Sequence, residues 1–194
     1  MAKLYFKYGA MGSSKTAQAL ITKFNYEEKG MRVWLVKPAK EDRDGAAILR
    51  SRIGLSSVCT PLSESQDVVA LFLKDFSDYD CIIADECQFF TEEQIDGFRT
   101  IVNEYDVPVL CFGLRSDFKT HLFEGSRRLF EVADSISEIK TICSCGAKAT
   151  VNARISDDGE ILTEGEQILL GGEERYTAMC HKCYVKARNR RNGN

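Results

Sequence analysis

The sequence predicts an α/β protein built on a parallel β-sheet with helices on both faces. Through the first two thirds of the chain, short apolar segments alternate with segments of helical periodicity, which is the pattern of successive strand–helix–strand units. The predicted strands are apolar along most of their length, as expected where a sheet is buried on both faces. With 194 residues, the chain has room for one such domain and a smaller second unit.

The first predicted elements have clear start and stop signals. The stretch "KLYFKY" predicts a strand, and a helix follows from about residue 15 to residue 28, closed by Gly30. "RVWLVKP" predicts the second strand. The next stretch, "EDRDGAAILRSRIGLSS", contains helix formers without a clean period, so it predicts either a helix or a mobile loop near the active site.

Further strands and helices complete the predicted sheet. "SQDVVALFLKDF" has helical periodicity, "YDCIIAD" predicts a buried strand, and "TEEQIDGFRTIVNEY" predicts a helix that starts with a capping box of Thr91 and Gln94. "VPVLCFGL" predicts a strand, "LFEGSRRLFEVA" a short helix and "SISEIKTIC" a last strand. From Cys143 the segments become short and rich in glycine and cysteine, with a hairpin around "SDDGE". We therefore expect two domains, residues 1–140 and 141–194.

Composition and charge argue against a protein that coats nucleic acid or spans a membrane. The net charge is -3 and the pI about 5.6, and no stretch approaches the ~20 apolar residues of a membrane span. Because "MAKLYFKYG" lacks the apolar core of a signal peptide, the eight cysteines are expected in a reducing cytoplasm. The basic residues Lys186, Arg188, Arg190 and Arg191 predict a solvated, frayed C-terminus, with a nucleic-acid contact as the alternative.

The stretch "YGAMGSSKTAQAL" predicts a phosphate-binding loop between the first strand and the first helix. It matches G-x-x-x-x-G-K-[ST] from Gly9 to Thr16, except that Ser14 stands where glycine is expected. In such a loop the backbone N–H groups and the helix N-terminus hold phosphates, Lys15 pairs with them, and the Thr16 hydroxyl ligates Mg²⁺. A turn of small residues with a surface lysine is the alternative interpretation.

A second motif supports the first. "CIIADECQFF" places Asp85 and Glu86 at the end of a buried strand. In P-loop proteins an acidic residue at this position serves Mg²⁺, and a neighbouring carboxylate can accept a proton from a nucleophilic hydroxyl. We therefore assign the metal to Asp85 and the proton to Glu86, with a solvated carboxylate pair as the alternative.

Four cysteines predict a structural zinc site. They form two close pairs that are far apart in the sequence, and two such pairs suit a closed tetrahedral site. His181 is a minor alternative ligand, and Cys81 and Cys111 are interpreted as core residues of strands. The predicted ligands are Cys143, Cys145, Cys180 and Cys183.

Several motifs in order resemble the type II thymidine kinases along almost the whole chain. They are "YGAMGSSKT", "EDRDG", "DECQFF", "FGLRSDF", "LFEGS", "KTICSCGAKA", "EGEQILLGGEERY" and "CHKCY". The resemblance implies a RecA-like P-loop domain and a small zinc-binding domain with a lasso-like loop that closes over the nucleoside. It also implies transfer of the γ-phosphoryl group of ATP, with Mg²⁺, to the 5′-hydroxyl of thymidine or deoxyuridine. A cytoplasmic homotetramer that works in pyrimidine salvage for DNA synthesis is expected, with no nucleic acid or membrane as main partner.

The resemblance also implies the site residues. Glu86 would be the general base. ATP would be held by Gly9, Ala10, Met11, Gly12, Ser13, Ser14, Lys15, Thr16, Arg43, Asp85, Glu86, Cys87 and Gln88. The nucleoside would be held by Phe89, Leu114, Phe118, Phe123, Gln167, Ile168, Leu169, Leu170, Gly171 and Tyr176.

Two residues depart from the family pattern, and two other functions stay open. Glu41 stands where the family often has aspartate, and Ser14 replaces a glycine that lets the backbone approach phosphate closely. Because "DECQ" also resembles a helicase segment, a nucleic-acid-dependent P-loop ATPase is one alternative. If Ser14 disables the loop, a non-catalytic nucleotide-binding zinc protein is the other.

Overall fold

The computed structural model describes residues 1–41, 45–167 and 175–191. Its strands form one large sheet, one small sheet and one isolated hairpin. In chain order they are β1 (Leu4–Tyr8), β2 (Val33–Pro38), β3 (Ile48–Arg50), β4 (Ser56–Val58), β5 (Thr60–Leu62), β6 (Cys81–Ala84), β7 (Val109–Gly113), β8 (Ser135–Glu138), β9 (Val151–Ile155), β10 (Ile161–Leu162) and β11 (Tyr176–Met179).

The large sheet has six strands in the order β5-β2-β6-β7-β1-β8. All neighbouring pairs in it are parallel, so the predicted parallel sheet is confirmed. Parallel neighbours place the carboxyl ends of their strands at one edge, which is where open α/β sheets bind ligands.

In the part of the chain that the structure describes, five α-helices accompany the strands. The capping box predicted at the start of the third helix is confirmed, because the Thr91 hydroxyl accepts the Gln94 N–H and the Gln94 side chain accepts the Thr91 N–H. Within the described ranges, each helix is too short or too polar to traverse a lipid bilayer. The helices are α1 (Lys15–Glu27), α2 (Val68–Leu71, continuing into a π-helical turn at Phe72–Phe76), α3 (Glu92–Tyr105), α4 (Glu124–Val132) and α5 (His181–Arg191).

Alternating side chains of each central strand enter two different cores, so both faces of the sheet are covered. On β2, Trp34 and Val36 belong to the larger core, while Val33 and Leu35 belong to the other. Residues of α3 and α4 complete the larger core, and residues of α1 complete the smaller one. Helices on both faces, as predicted, explain why these strands are apolar throughout.

From residue 45 onward, the interpretation of the stretch after β2 as a helix or a mobile loop is wrong; residues 42–44 lie outside the described residues. Strands β3 and β4 pair there as an antiparallel hairpin, with Gly54 at a positive φ of 91° in the turn. Leu49 of β3 is 3% exposed and joins the smaller core. The segment extends because it can bury Leu49 against the sheet, which a local propensity pattern does not record.

Two other predictions need correction. The last strand of the large sheet ends at Glu138 and does not continue to Cys143. The basic residues Lys186, Arg188 and Arg190 are exposed, as expected, but the chain is helical through Arg191 rather than frayed. Tyr184 of this helix is 4% exposed and packs with Val151, Ala153 and Ile161, which gives the helix a buried anchor.

The small sheet has the order β10-β9-β11, and both of its pairs are antiparallel. The turn at residues 156–160 joins β9 to β10, so the hairpin predicted around "SDDGE" is confirmed. The division into domains near residue 140 stays a prediction.

Candidate active site

Three segments that follow strands of the large sheet meet at its carboxyl edge. The loop after β1 lies against the end of β7, because the Gly9 N–H donates to the Gly113 carbonyl at 3.2 Å. The turn after β6 packs against the same strand end. Its Cys87 sulfur lies so close to Gly113 that a Cβ atom added to this glycine would be only 2.5 Å from it. The proposed phosphate loop and the acidic pair are therefore neighbours.

The loop from Gly9 to Thr16 wraps around the amine of Lys15. The Lys15 Nζ donates to the Ala10 carbonyl at 2.9 Å and to the Ser13 Oγ at 3.4 Å. Burial lowers the Lys15 pKa, while the charges of Glu86 and Asp85 act in the opposite direction. The amine thus lies inside the loop and within electrostatic reach of both carboxylates.

Two residues of this loop adopt left-handed backbone conformations. Gly12 has a φ of 73°, which glycine adopts without strain, and Ser14 has a φ of 63° immediately before α1. Because serine carries a Cβ, its left-handed conformation is strained. The sequence departure at position 14 therefore falls where the backbone favours glycine.

Asp85 is a buried carboxylate with unused oxygens. The residue is 1% exposed, and among the described residues neither of its oxygens makes a hydrogen bond of ordinary geometry. Burial raises the Asp85 pKa to about 7, and the Glu86 charge adds to the rise; the nearby Thr16 hydroxyl and Glu86 backbone oppose it more weakly. Such a group is under-satisfied and fits a hard divalent cation such as Mg²⁺.

A buried amide fixes the second carboxylate. The Gln88 Nε2 donates to the Glu86 carboxylate at 2.5 Å, and the Gln88 Oε1 accepts the Leu114 N–H at 2.9 Å. Gln88 is 2% exposed, and Glu86 has a φ of 50° at the start of a 3₁₀ turn, Cys87–Phe89. The Glu86 side chain is thereby held from the backbone of the segment after β7.

Cys87 lies behind this site. It is fully buried, and burial raises its pKa well above the usual value, with the nearby Cys111 adding to the rise. The thiol is therefore protonated and contributes packing rather than charge.

The predicted nucleoside residues fall into two groups. Phe89 and Phe123 contact each other edge to face, with ring centroids 5.6 Å apart, beside the Gln88–Leu114 bridge. Phe118 and Tyr176 meet instead around Arg154, and the Gln167 side chain donates to Asp117. Arg43 and the residues Ile168, Leu169, Leu170 and Gly171 lie outside the described residues.

Sequence reasoning missed two polar residues on β9. Asn152 and Arg154 are 3% and 4% exposed, while Val151 and Ala153, which alternate with them along the strand, pack toward α5. The Asn152 side chain accepts the Met11 N–H of the phosphate loop at 2.8 Å and donates to the Ser116 carbonyl at 2.9 Å. The period-two alternation of "VNAR" was the signal that could have found them.

The four predicted zinc ligands form one cluster. Their sulfur atoms all lie within 4.8 Å of one another, and the Cys145 and Cys180 sulfurs are 3.7 Å apart. Tetrahedral zinc with bonds of about 2.3 Å spaces its sulfurs by ~3.8 Å, so the cluster fits zinc. Hydrogen bonds from the Cys145 and Cys180 backbones lower the Cys143 pKa to about 6, while hydrogen bonds with the other three cysteine side chains raise the Cys183 pKa to about 12. The cluster joins the segment before β9 to Cys180, directly before α5, and Cys183, in the first turn of α5; His181 is not part of it.

Comparison with known proteins gives one consistent family. Residues 2–184 match the family model described as thymidine kinase. The thymidine kinase of Photobacterium profundum is 41% identical over 192 residues, covering 98% of this chain and 100% of the relative. That of Coxiella burnetii (strain RSA 493 / Nine Mile phase I) is 42% identical and covers 94% of each chain. That of Escherichia coli (strain K12) is 41% identical and covers 96% of this chain and 92% of the relative.

Proposed function

The chain belongs to the thymidine kinase family, and we propose how its residues divide the reaction between a nucleotide half and a nucleoside half. The reaction transfers the γ-phosphoryl group of ATP to the 5′-hydroxyl of thymidine or deoxyuridine. It requires positioning and charge neutralisation rather than a covalent enzyme intermediate. Residues at the carboxyl edge of the large sheet would meet each of these requirements.

The nucleotide half is the loop from Gly9 to Thr16. Its backbone N–H groups and the N-terminus of α1 would hold the phosphates. The Lys15 amine donates to the loop's own Ala10 carbonyl, and ATP would offer it phosphate oxygens in place of that carbonyl. A buried ammonium gains more from a phosphate than a solvated one, because the local dielectric is low. Lys15 would therefore neutralise charge on the transferring group.

Asp85 and the Thr16 hydroxyl would hold Mg²⁺. The two carboxylate oxygens of Asp85 are the ligand type that this ion prefers. The Thr16 hydroxyl lies close enough to this carboxylate to oppose the rise of its pKa. The ion held there would supply positive charge that offsets the negative charge of the phosphates. The Asp85 carboxyl would then be ionised, because a cation beside it favours the charged form.

Glu86 would accept the proton of the 5′-hydroxyl. The observation that carries this assignment is the Gln88 bridge, which fixes the Glu86 carboxylate from the Leu114 backbone. A general base must be held within hydrogen-bond reach of the proton that it takes. Asp85, which is buried and would hold the metal, and Glu86, which is held by Gln88, would thus perform different tasks although they are adjacent.

The nucleoside half would be formed by the two aromatic groups. Phe89, Phe123 and Leu114 lie beside the Gln88 bridge and so beside the proposed base. Phe118 and Tyr176 lie around Arg154. A flat pyrimidine favours apolar and aromatic walls of this kind.

The test of this proposal is Glu86→Gln. The amide keeps the shape of the side chain but cannot accept a proton, so kcat is expected to fall roughly 10²-fold or more, while ATP affinity and melting temperature stay near wild type. Thymidine monophosphate formation and ATP binding would be measured side by side. The matched control is Glu93→Gln. Glu93 is an exposed residue of α3, and its replacement is expected to leave kcat unchanged. A kcat of Glu86→Gln near that of the control would place the proton acceptor elsewhere.

The two alternative functions make different predictions about what stimulates ATP turnover. A nucleic-acid-dependent ATPase responds to single-stranded DNA, a kinase responds to thymidine, and a non-catalytic protein responds to neither. We expect ADP release to rise with thymidine and deoxyuridine only. An ADP release that rises with single-stranded DNA and not with thymidine would favour the ATPase.

A homotetramer and a cytoplasmic location are also proposals, and both rest on the family resemblance. Light scattering coupled to size exclusion would measure the mass of the assembly against the chain mass of 21.8 kDa. We expect four chains per particle. A single chain per particle would contradict the proposed assembly without affecting the proposed chemistry.

A further inference from the structure

A buried arginine on β9 connects two chain segments that carry proposed nucleoside contacts. The Arg154 guanidinium lies over the Phe118 ring, with 3.8 Å between its Cζ atom and the ring centroid. Its Nε donates to the Tyr176 hydroxyl oxygen at 2.7 Å, and a second guanidinium nitrogen donates to the same oxygen. One side chain therefore joins the segment after β7 to the first residue of β11.

The same guanidinium fixes a third segment. Its Nη1 donates to the Glu166 carbonyl at 2.9 Å, and its Nη2 donates to the Gln167 carbonyl at 3.4 Å. The Gln167 side chain in turn donates to the Asp117 carboxylate at 3.0 Å. The backbone at residues 166–167 is thus tied to β9 through its carbonyls and to the segment after β7 through its side chain.

The contacts require an arginine. Its partners are a phenol, two backbone carbonyls and ring faces, all of which are neutral. Removing a cation from water is costly unless its donors are satisfied, and here several N–H groups and a ring face share that role. The planar guanidinium donates in several directions while its face stacks on a ring, which a lysine ammonium cannot do.

The strand that carries Arg154 packs against α5 on its other face. Its residues Val151 and Ala153 pack with Tyr184 of α5, and the Tyr184 hydroxyl donates to the Phe118 carbonyl at 3.1 Å. Phe118 is therefore held through its ring by β9 and through its backbone by α5. Arg154 is therefore held on a strand of the small sheet, and its side chain contacts all three segments.

We propose that Arg154 is a positioning residue for the nucleoside pocket, which sets Phe118, the backbone at Gln167 and Tyr176 relative to one another. This inference rests on the proposed function, because it takes these residues as the nucleoside contacts. Arg154 holds no reacting atom in this arrangement. Its replacement is therefore expected to weaken thymidine binding selectively and to leave the nucleotide half intact.

The experiment is steady-state kinetics on the full chain with zinc bound, for Arg154→Met, Arg154→Lys and Tyr176→Phe. Arg154→Met is expected to raise the KM for thymidine roughly tenfold or more, while the KM for ATP stays within about threefold. Arg154→Lys is expected to raise the KM for thymidine by an intermediate factor, because lysine keeps the positive charge but lacks the several N–H donors of the planar guanidinium. Tyr176→Phe removes only the hydroxyl that accepts from Arg154, so it is expected to give the smallest increase of the KM for thymidine.

Arg99→Met is the matched control for lost stability. Arg99 also forms several hydrogen bonds through its guanidinium, to Asp134 and Asn103, but on elements that carry none of the proposed site residues. It is expected to lower the melting temperature without changing either KM. A selective increase of the thymidine KM in Arg154→Met but not in Arg99→Met would support the proposal.

Three results would overturn the inference. These are an unchanged thymidine KM in Arg154→Met, an equal rise of both KM values in that variant, and a selective rise in Arg99→Met. If Arg154→Met does not yield folded protein, Arg154→Lys and Tyr176→Phe decide, and an unchanged thymidine KM in both refutes it. A wild-type protein without thymidine-dependent turnover would refute the proposed function instead.

Discussion

Ser14 occupies a backbone position that favours glycine, immediately before the proposed phosphate-binding lysine. Its φ of 63° and ψ of 26° are left-handed, and such a conformation costs a residue with a Cβ about 1–2 kcal/mol. The side chain is exposed and makes no capping hydrogen bond to α1, so within the free protein nothing offsets that cost locally.

We predict that Ser14→Gly relieves this strain. The melting temperature is expected to rise by a few degrees, and ATP affinity or kcat/KM by up to roughly tenfold if the Cβ crowds the phosphates. Both forms would be compared by thermal unfolding and by ATP titration at saturating Mg²⁺. Ser13→Gly is the control, since Ser13 is buried and accepts a hydrogen bond from Lys15, and it is expected to lose stability. Weaker ATP binding by Ser14→Gly would mean that the hydroxyl is itself a phosphate ligand.

Asp85 gives a second prediction, which depends on pH. Its pKa is raised to about 7 in the folded state, so the folded protein holds this proton more tightly than the unfolded chain does. Stability is therefore lost as pH rises from about 4 toward 7, when the buried carboxyl must ionise. Asp85→Asn removes that loss, and in metal-free buffer it is expected to be more stable than wild type by ~1–3 kcal/mol at pH 8.

The measurement is the melting temperature of both proteins in a chelator at pH 5 and at pH 8. The advantage of Asp85→Asn should be large at pH 8 and small at pH 5, and Mg²⁺-dependent turnover should be lost. Asp117→Asn is the comparison, because Asp117 is a buried carboxylate that accepts the Lys119 and His121 N–H groups and should lose stability when replaced. An equal advantage of Asp85→Asn at both pH values would contradict the assigned cause.

Helix α4 fixes the turn that carries the acidic pair. Its second residue, Gly125, lies so close to this turn that a Cβ would be 2.4 Å from the Cys87 carbonyl oxygen and 2.8 Å from that of Phe90. Both contacts are with backbone, which cannot move aside as a side chain can. The glycine therefore allows α4 to approach the residues that orient Glu86.

We predict that Gly125→Ala displaces this turn. It is expected to cost ~1–3 kcal/mol or more of stability from overpacking, and to lower kcat because the Gln88 bridge to Glu86 shifts. Gly97→Ala on α3 is the control, since its Cβ would meet only valine side chains, the nearest being Val68 at 3.2 Å, and alanine favours helix by about 1 kcal/mol. Thermal unfolding and kcat would be measured for both. Equal behaviour of the two variants would show that the close approach at α4 has no functional consequence.

For the molecule as a whole, the cysteine cluster connects distant parts of the site. It anchors the start of α5, and Tyr184 on that helix donates to the Phe118 carbonyl. The cysteines also lie in the segments that flank the strand pair β9–β11, which carries Arg154 and Tyr176. The proposed phosphate loop, by contrast, lies between β1 of the large sheet and helix α1.

We therefore predict that zinc removal harms the nucleoside half more than the nucleotide half. Replacement of Cys180 and Cys183 together by serine should abolish the one zinc per chain, and should raise the KM for thymidine more than the KM for ATP. Metal analysis after dialysis and steady-state kinetics would be combined. Cys59→Ala, outside the cluster, should retain zinc. Retention of zinc by the double variant would disprove the assignment of these ligands.

The sequence alone determined those features that depend on local order along the chain. The alternation of apolar and helical segments predicted the parallel sheet, because a strand buried on both faces must be apolar throughout. The sequence also predicted that the four cysteines would come together, because a metal requires particular ligands at particular spacings. The phosphate loop and the acidic pair were identified as candidates for the same reason, and their roles stay proposals. The capping box at Thr91 was legible for the same reason, since its two partners are three residues apart.

The tertiary structure decided what depends on contacts between distant residues. In the hairpin β3–β4, Leu49 packs into a core whose other residues are distant in the sequence. Helix α5 continues through Arg191, and its Tyr184 is buried against β9. The same is true of Gln88, whose amide joins Glu86 to Leu114, and of Arg154, whose partners lie 12 to 36 residues away. Such contacts stabilise a residue only once the sheet has brought the segments together, so no local pattern of residues specifies them.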